Sequence, residues 1–193
     1  MIEVKHLTKV YLHDPIFSDY SATFAEQKLC IEAPNGLGKS TLFRIIAGLD
    51  DAFHGDVLFD GRLQNVAQQV VALASDSIPY PEFLTARQLL QLTAKSWSCS
   101  WPELIINQLA FESFLDTRYG ALSSGNQKKC QLINAMMRNT PYLLLDEPSA
   151  ALDHASLEVL LAWLKQHPAQ VIISCHEPQA FIDIGFVTQP LFE

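Results

Sequence analysis

Residues Ala33 to Thr41 read Ala-Pro-Asn-Gly-Leu-Gly-Lys-Ser-Thr, and the fold is decided here. The apolar run Lys28 to Ala33 before it predicts a strand. Ser40 to Leu49 after it predicts a helix with Leu42, Ile45, Ile46 and Leu49 on one face. A loop between strand and helix aims successive backbone N–H groups and the positive end of a helix at one spot, which is a receptor for phosphate. Gly36 and Gly38 carry no Cβ, so the backbone can approach phosphate oxygens closely. Lys39 can then reach the β- and γ-phosphates, and the Ser40 hydroxyl can ligate Mg²⁺. These residues imply the binding of a nucleoside triphosphate.

The chain has 193 residues, 49% of them hydrophobic and 18% charged, which predicts one globular domain with or without an inserted subdomain. A net charge of −8 argues against a dedicated nucleic-acid binder. Cys30, Cys99, Cys130 and Cys175 are far apart, which fits free thiols in a reducing compartment rather than disulfides or a zinc site. With charged residues at Glu3, Lys5 and Lys9 no signal peptide is expected in the first ten residues, and no apolar run reaches 18 residues. A soluble cytosolic protein is expected, with membrane contact only through a partner.

Short β-like runs occupy Ile2 to Leu7, Phe17 to Phe24 and Leu29 to Ala33, followed after the loop by Gly55 to Gly61 and Gln69 to Ala74. From about Asp76 to Asn139 the pattern is helical: Thr85 can cap a helix to Lys95, Trp101 and Pro102 open another to about Phe114, and a third follows Ser124. Pro141 to Asp146 and Gln170 to Ser174 read as strands buried on both faces, with an apolar-periodic helix, Ser156 to Gln166, between them. The order predicts a mixed sheet core carrying a helical subdomain.

Two further segments carry chemistry. Tyr142 to Pro148 reads Tyr-Leu-Leu-Leu-Asp-Glu-Pro, a buried strand ending in two acids. Ligands of α/β sheets collect at strand C-termini, so Asp146 can hold Mg²⁺ through a water. Glu147, on the other side by strand alternation, could polarise the water that attacks the γ-phosphate. Ala121 to Gln127 reads Ala-Leu-Ser-Ser-Gly-Asn-Gln. Ser124 and Gln127 have the spacing of a capping box, and Ser123, Gly125 and the helix N-terminus could form a second anion site; both readings stand.

With these segments in this order, from Ile2 to about Thr188, the chain resembles the ATPase domain of ABC transporters. The resemblance implies an α/β fold of the P-loop NTPase type: a mixed β-sheet core, an antiparallel β subdomain and a helical insertion subdomain. It makes residues 1–193 a single ABC ATPase domain, with about 1–75 and 140–193 as core and β subdomain and about 76–139 helical. Its cofactors are ATP and Mg²⁺. Asn35, Gly36, Leu37, Gly38, Lys39, Ser40 and Thr41 would contact the nucleotide, and Tyr11 would stack on adenine. Leu122-Ser123-Ser124-Gly125-Asn126 would bind the ATP held by a second subunit, and Ala150 to Asp153 would cross the dimer interface with Asp153 as its acid. His176 would hydrogen-bond the γ-phosphate, Glu147 would be the catalytic acid-base group, and Lys39 would absorb charge. The implied partners are a second ATPase domain, as homodimer or pseudo-dimer, and a transmembrane permease subunit. The implied place is the cytosolic face of a membrane, as in small bacterial inner-membrane subunits of haem-exporter type.

Departures from the family pattern cluster around the nucleotide. Ala33 replaces the loop's first glycine, tolerable if φ stays negative. Ser124 replaces a glycine and Asn126 a glutamine. Asp76 stands where a magnesium-contacting glutamine is usual, as a shorter, charged metal ligand or as part of a solvated Ser75-Asp76-Ser77 turn. Tyr80 and Phe83 are expected to be exposed, in the groove that receives the membrane partner. The chain ends soon after His176, so no C-terminal regulatory domain is expected. The expected function is ATP hydrolysis coupled to transport. The alternatives are a soluble ABC-type ATPase acting on ribosome or DNA, and a nucleotide-operated binding module of slow turnover.

Overall fold

The computed structural model describes residues 1–11 and 14–192. The chain runs β1 (Ile2–Tyr11), β2 (Asp14–Phe24), β3 (Lys28–Glu32), α1 (Lys39–Ile46), β4 (His54–Phe59), β5 (Arg62–Leu63), β6 (Val71–Ala74), α2 (Ala86–Trp97), α3 (Glu103–Gln108), α4 (Ser124–Met136), β7 (Tyr142–Asp146), α5 (His154–Gln166), β8 (Gln170–Ser174), α6 (Gln179–Ile182) and β9 (Val187–Pro190). The expected mixture of strand directions is divided between two sheets. One is antiparallel, in the order β2-β1-β4-β5. The other is parallel throughout, in the order β6-β7-β8-β3-β9.

Strand alternation explains the layering of the parallel sheet. Leu29, Ile31, Leu73, Leu144 and Ile172 point to one face, where they meet Leu42, Phe43, Ile45 and Ile46 of α1 and Ile2, Phe17 and Phe24 of the antiparallel sheet. Cys30, Ala74, Leu143, Leu145 and Ile173 point to the other, where they meet Leu90, Leu132, Ile133, Leu160 and Phe181. Helix α4 therefore packs against the sheet as well as against α2. Four of the five parallel strands carry site residues past their C-terminal ends. In the ladder Ala74 lies beside Leu145, Asp146 beside Ser174, and Ser174 beside Ile31.

Several boundaries differ from the sequence expectation, each for a local reason. Helix α1 stops at Ile46 because Gly48 turns left-handed, φ 67°. Leu49 therefore falls off the apolar face and is 45% exposed. Helix α3 ends at Gln108 rather than near Phe114, with Ala110 left-handed and a separate 3₁₀ turn at Glu112–Phe114. Thr85 does cap α2, in a reciprocal box with Gln88. For α4 the cap is Ser123, not Ser124: its hydroxyl accepts from the Asn126 N–H at 3.3 Å, while the Gln127 amide donates to the Tyr119 carbonyl.

Candidate functional site

The loop Ala33–Gly38 leaves β3 at the C-terminal edge of the parallel sheet and feeds α1. It opens onto a cavity of about 230 Å³ lined by Asn35, Gly36, Gly38, Lys39, Ser40 and Thr41 from the loop and helix, by Ile16 from β2, and by Asp146 and Glu147. Gly38 is required twice over. Its φ is 96°, and a Cβ there would lie 2.6 Å from the Ile16 side chain and 3.0 Å from the Phe17 ring. Ala33 is absent from the positive-φ residues, which is why its methyl is accommodated. The Lys39 ammonium, almost buried, folds back on its own loop and donates to the Ala33 and Pro34 carbonyls. Two larger cavities, of about 570 and 460 Å³ around Leu104 and Trp163, contain none of the motif residues.

Asp146 ends β7 with both carboxylate oxygens fixed: the Ser174 hydroxyl donates to Oδ1 at 2.6 Å and the Ser75 hydroxyl to Oδ2 at 2.7 Å. Both serines are fully buried. Among the described residues no cluster of three His, Cys, Asp or Glu side chains could hold a metal. The donor set is instead one oriented carboxylate plus the Ser40 hydroxyl in the same cavity. These hard oxygen donors, with room for phosphate oxygens and water, suit Mg²⁺.

Glu147 is not aimed by strand alternation. The strand stops at Asp146, and Glu147 takes a left-handed φ of 47°, with its N–H bonded to the Ser174 carbonyl at 3.1 Å and hydroxyl at 3.0 Å. This conformation costs about 1 kcal/mol or more for a non-glycine residue. It turns the side chain into the same cavity as Asp146. Glu147 Oε1 is buried, has no hydrogen-bond partner among the described residues, and lies 3.3 Å from His176 Nε2. Glu147 and His176, distant in sequence, thus face each other.

Other expected residues lie apart from this cavity within one chain. Leu37, on the loop, is exposed. Ser123, Ser124, Gly125 and Asn126 form the N-terminus of α4, and a Cβ on Gly125 would meet the Ala151 carbonyl oxygen at 2.7 Å. Asp153 is committed within its own chain. It caps α5 by accepting from the Ser156 N–H at 2.8 Å and pairs with Lys129 at 3.3 Å, which hold its carboxyl down at about 2. Tyr11 does not line the cavity; its hydroxyl donates to Asp50 at 2.9 Å, and its ring lies under the Lys9 ammonium. Asp76 is taken up by a neighbour the sequence did not nominate: Lys128 of α4 lies 2.9 Å away. Tyr80 is half-buried rather than exposed, stacked on Tyr119 and accepting from Asn134, whereas Phe83 is 73% exposed as expected.

Sequence reasoning missed Ile16, Ser75, Ser174 and Lys128. The two serines end strands beside β7, and the rule that ligands gather at strand ends could have found them. Lys128 gives no such signal, because two adjacent lysines in a helix read as a solvated face.

A parallel sheet with a glycine loop between β3 and α1, facing an acid on the next strand but one, is the arrangement of a P-loop nucleoside triphosphatase. The family model described as ABC transporter matches residues 20–150. The cytochrome c biogenesis ATP-binding export protein CcmA of Maricaulis maris is 32% identical over 166 residues, covering 82% of this chain and 78% of that one. The thiamine import ATP-binding protein ThiQ of Photorhabdus laumondii is 30% identical over 188 residues, covering 93% and 77%. Among solved structures, an ATP-binding subunit of an ABC transporter has a TM-score of 0.83 at 22% identity, covering 97% of this chain and 85% of that one. A dimeric post-hydrolysis ATP-binding cassette bound to ADP and Pi has a TM-score of 0.80 at 20% identity, covering 97% and 94%. The chain belongs to the ABC transporter family, as an ATP-binding, ATP-hydrolysing subunit.

Proposed function

We propose that this chain is half of an ATP-sandwich dimer that drives a separate transmembrane permease subunit from the cytosolic face of a membrane. One observation supports this most: the phosphate loop, Asp146 and Glu147 line one cavity, while the α4 N-terminus is not among its lining residues and would be brought to a nucleotide by a second chain. The N–H groups from Asn35 to Thr41 and the Lys39 ammonium would bind the β- and γ-phosphates. Tyr11, anchored by Asp50, would offer its ring to adenine, with Ile16 beside the loop. Ser40 and Asp146 would hold Mg²⁺, with Ser75 and Ser174 orienting the carboxylate; when bound, the ion supplies charge neutralisation at the phosphates. Asp76 is left out of this set.

Glu147 would accept a proton from the attacking water, whose oxygen bonds to the γ-phosphorus as the bond to the ADP oxygen breaks. Its unbonded Oε1 supplies the acceptor. His176, 3.3 Å from that oxygen, would donate to the γ-phosphate. Ser123 to Asn126 of the partner copy would cap the same phosphate, with Ala150 to Asp153 passing between the copies. No described helix is long and apolar enough to cross a membrane, so attachment would run through the permease. A groove of about 350 Å³ between the core and α2, lined by Leu49, Ile78, Tyr80, Leu92 and Trp97, offers an apolar seat for that partner.

The test is phosphate release by the purified chain with Mg²⁺ and ATP. Glu147→Gln is expected to lower turnover about a hundredfold or more while ATP binding persists. An unchanged rate would sink the proposed role of Glu147.

A further inference from the structure

Lys128 has an environment that none of the roles above requires. It sits in the second turn of α4, only 2% exposed. Its ammonium lies 2.9 Å from Asp76 Oδ1 and donates to the Asp146 carbonyl at 3.4 Å. Three segments meet at that nitrogen: α4, the turn after β6, and the end of β7. The turn after β6 also holds Ser75, whose hydroxyl fixes Asp146 Oδ2. The two ends of the ion pair are unequal. The cation is enclosed, whereas the Asp76 side chain is 67% exposed.

We propose that Asp76 and Lys128 form a positioning pair, in which Asp76 is the counter-ion of an enclosed lysine rather than a ligand for Mg²⁺, and the pair clamps the Ser75 turn and α4 against the strand end that carries Asp146 and Glu147. The assignment of Asp146 to Mg²⁺ rests on the function proposed above; the pair itself does not.

The inequality of burial gives the proposal its signature. Removing Asp76 strands a desolvated cation with only a carbonyl for company, which is costly. Removing Lys128 returns Asp76 to water, which is cheap, but leaves a bare carboxylate one residue from Ser75, near where the phosphates bind. The two substitutions should therefore cancel, and in different directions for different readouts. If Asp76 were a metal ligand its loss would raise the magnesium requirement whatever stood at 128.

The experiment compares the wild-type chain, Asp76→Gln, Lys128→Gln, the double variant and, for the Mg²⁺ requirement, Asp76→Ala combined with Lys128→Gln. Without nucleotide, Asp76→Gln should lower the unfolding midpoint by about 5 °C or more. Lys128→Gln should lower it by less than half as much, and the double variant should match Lys128→Gln. With Mg²⁺ and ATP, Lys128→Gln alone should weaken nucleotide affinity roughly fivefold through like-charge repulsion. Adding Asp76→Gln should restore it, a reversal that a merely structural pair would not show. The Mg²⁺ concentration giving half-maximal hydrolysis should stay within about twofold when Asp76→Ala, which leaves no oxygen donor at this position, is combined with Lys128→Gln, since no metal ligand is lost. Additive midpoint losses, an affinity loss that the second substitution leaves in place, or a raised Mg²⁺ requirement in the chain carrying Asp76→Ala with Lys128→Gln would each overturn the proposal. If Asp76→Gln alone is insoluble, recovery of soluble protein in the double variant supports the pair and continued insolubility overturns it. Failure of the wild-type chain to hydrolyse ATP would remove the proposed function, while the midpoints without nucleotide would still report on the pair.

Discussion

Lys39 and Lys128 are both almost enclosed by protein, at 7% and 2% exposure, yet they differ in where their anion comes from. Lys128 carries its anion within the fold, as Asp76. Lys39 is held by two loop carbonyls, and among the described residues no carboxylate lies within ion-pair distance of it. A cation solvated only by dipoles at the wall of a cavity is a receptor for an anion from outside. A cation with an internal counter-ion is a fastener between segments. Burial of a lysine therefore says little about its role until its partners are counted.

Lys39→Ala should break this contrast most visibly. ATP affinity is expected to fall about a hundredfold or more, since a buried, charge-assisted contact to phosphate is lost. The unfolding midpoint without nucleotide should hold or rise, because no anion is stranded when this cation goes. Calorimetric titration with ATP and a thermal melt of the free protein check the two halves. A large drop in the free chain's midpoint would mean that Lys39 has a structural partner after all.

Lys9 sharpens the contrast from the opposite extreme. It is enclosed together with its anion, at 3% and 7% side-chain exposure, and donates to Asp50 at 2.6 Å and to the Ala52 carbonyl at 2.8 Å. Burial pushes the Asp50 carboxyl up, but the hydrogen bonds from Lys9, Tyr11 and the Ala52 N–H outweigh it and hold the group below its ordinary value. Lys9→Met should cost about 3–5 kcal/mol at neutral pH by leaving that carboxylate unpaired. A carboxyl whose folded value is depressed stabilises the fold above its unfolded value of about 3.9 and loses that contribution as pH falls through the folded value. The gap between wild type and Lys9→Met should thus be full at pH 7 and close below about pH 4. Denaturant melts across that range measure it, and a gap independent of pH would deny the pair.

The loop, the buried strands and the acids could be read from residues 33–41 and 142–148 because each is specified locally, by glycine spacing, an unbroken apolar run or a cap. The contacts that decide roles could not. Asp76 reads as a turn residue or a metal ligand until helix α4, some fifty positions later, brings Lys128 to it. Tyr80 looks exposed between two prolines until Tyr119 and Asn134 half-bury it. Glu147 reads as turned away from Asp146 by strand alternation, whereas a left-handed turn brings it to the same cavity. In each case the missing information is a long-range contact or a single backbone angle, neither of which leaves a periodic trace in the sequence.

Gly125 separates the two kinds of anion receptor most finely. In the proposed function Lys39 would meet a phosphate within one chain, whereas the α4 N-terminus would meet one across a dimer. Gly125 is not needed for conformation, because it is absent from the positive-φ residues. It is needed for space, since a Cβ would stand 2.7 Å from the Ala151 carbonyl oxygen, a backbone atom that must move. Gly125→Ala should cost about 1–3 kcal/mol of stability from that overlap and displace the Ala150–Asp153 loop. ATP affinity of the single chain should be unchanged, because no residue of its own cavity is touched. ATP-dependent dimerisation, followed by size-exclusion chromatography in the Glu147→Gln background, should be weakened. Normal dimerisation by Gly125→Ala would show that the α4 N-terminus does not face the partner's nucleotide, and the phosphate loop with Lys39 would then have to hold it without that cap.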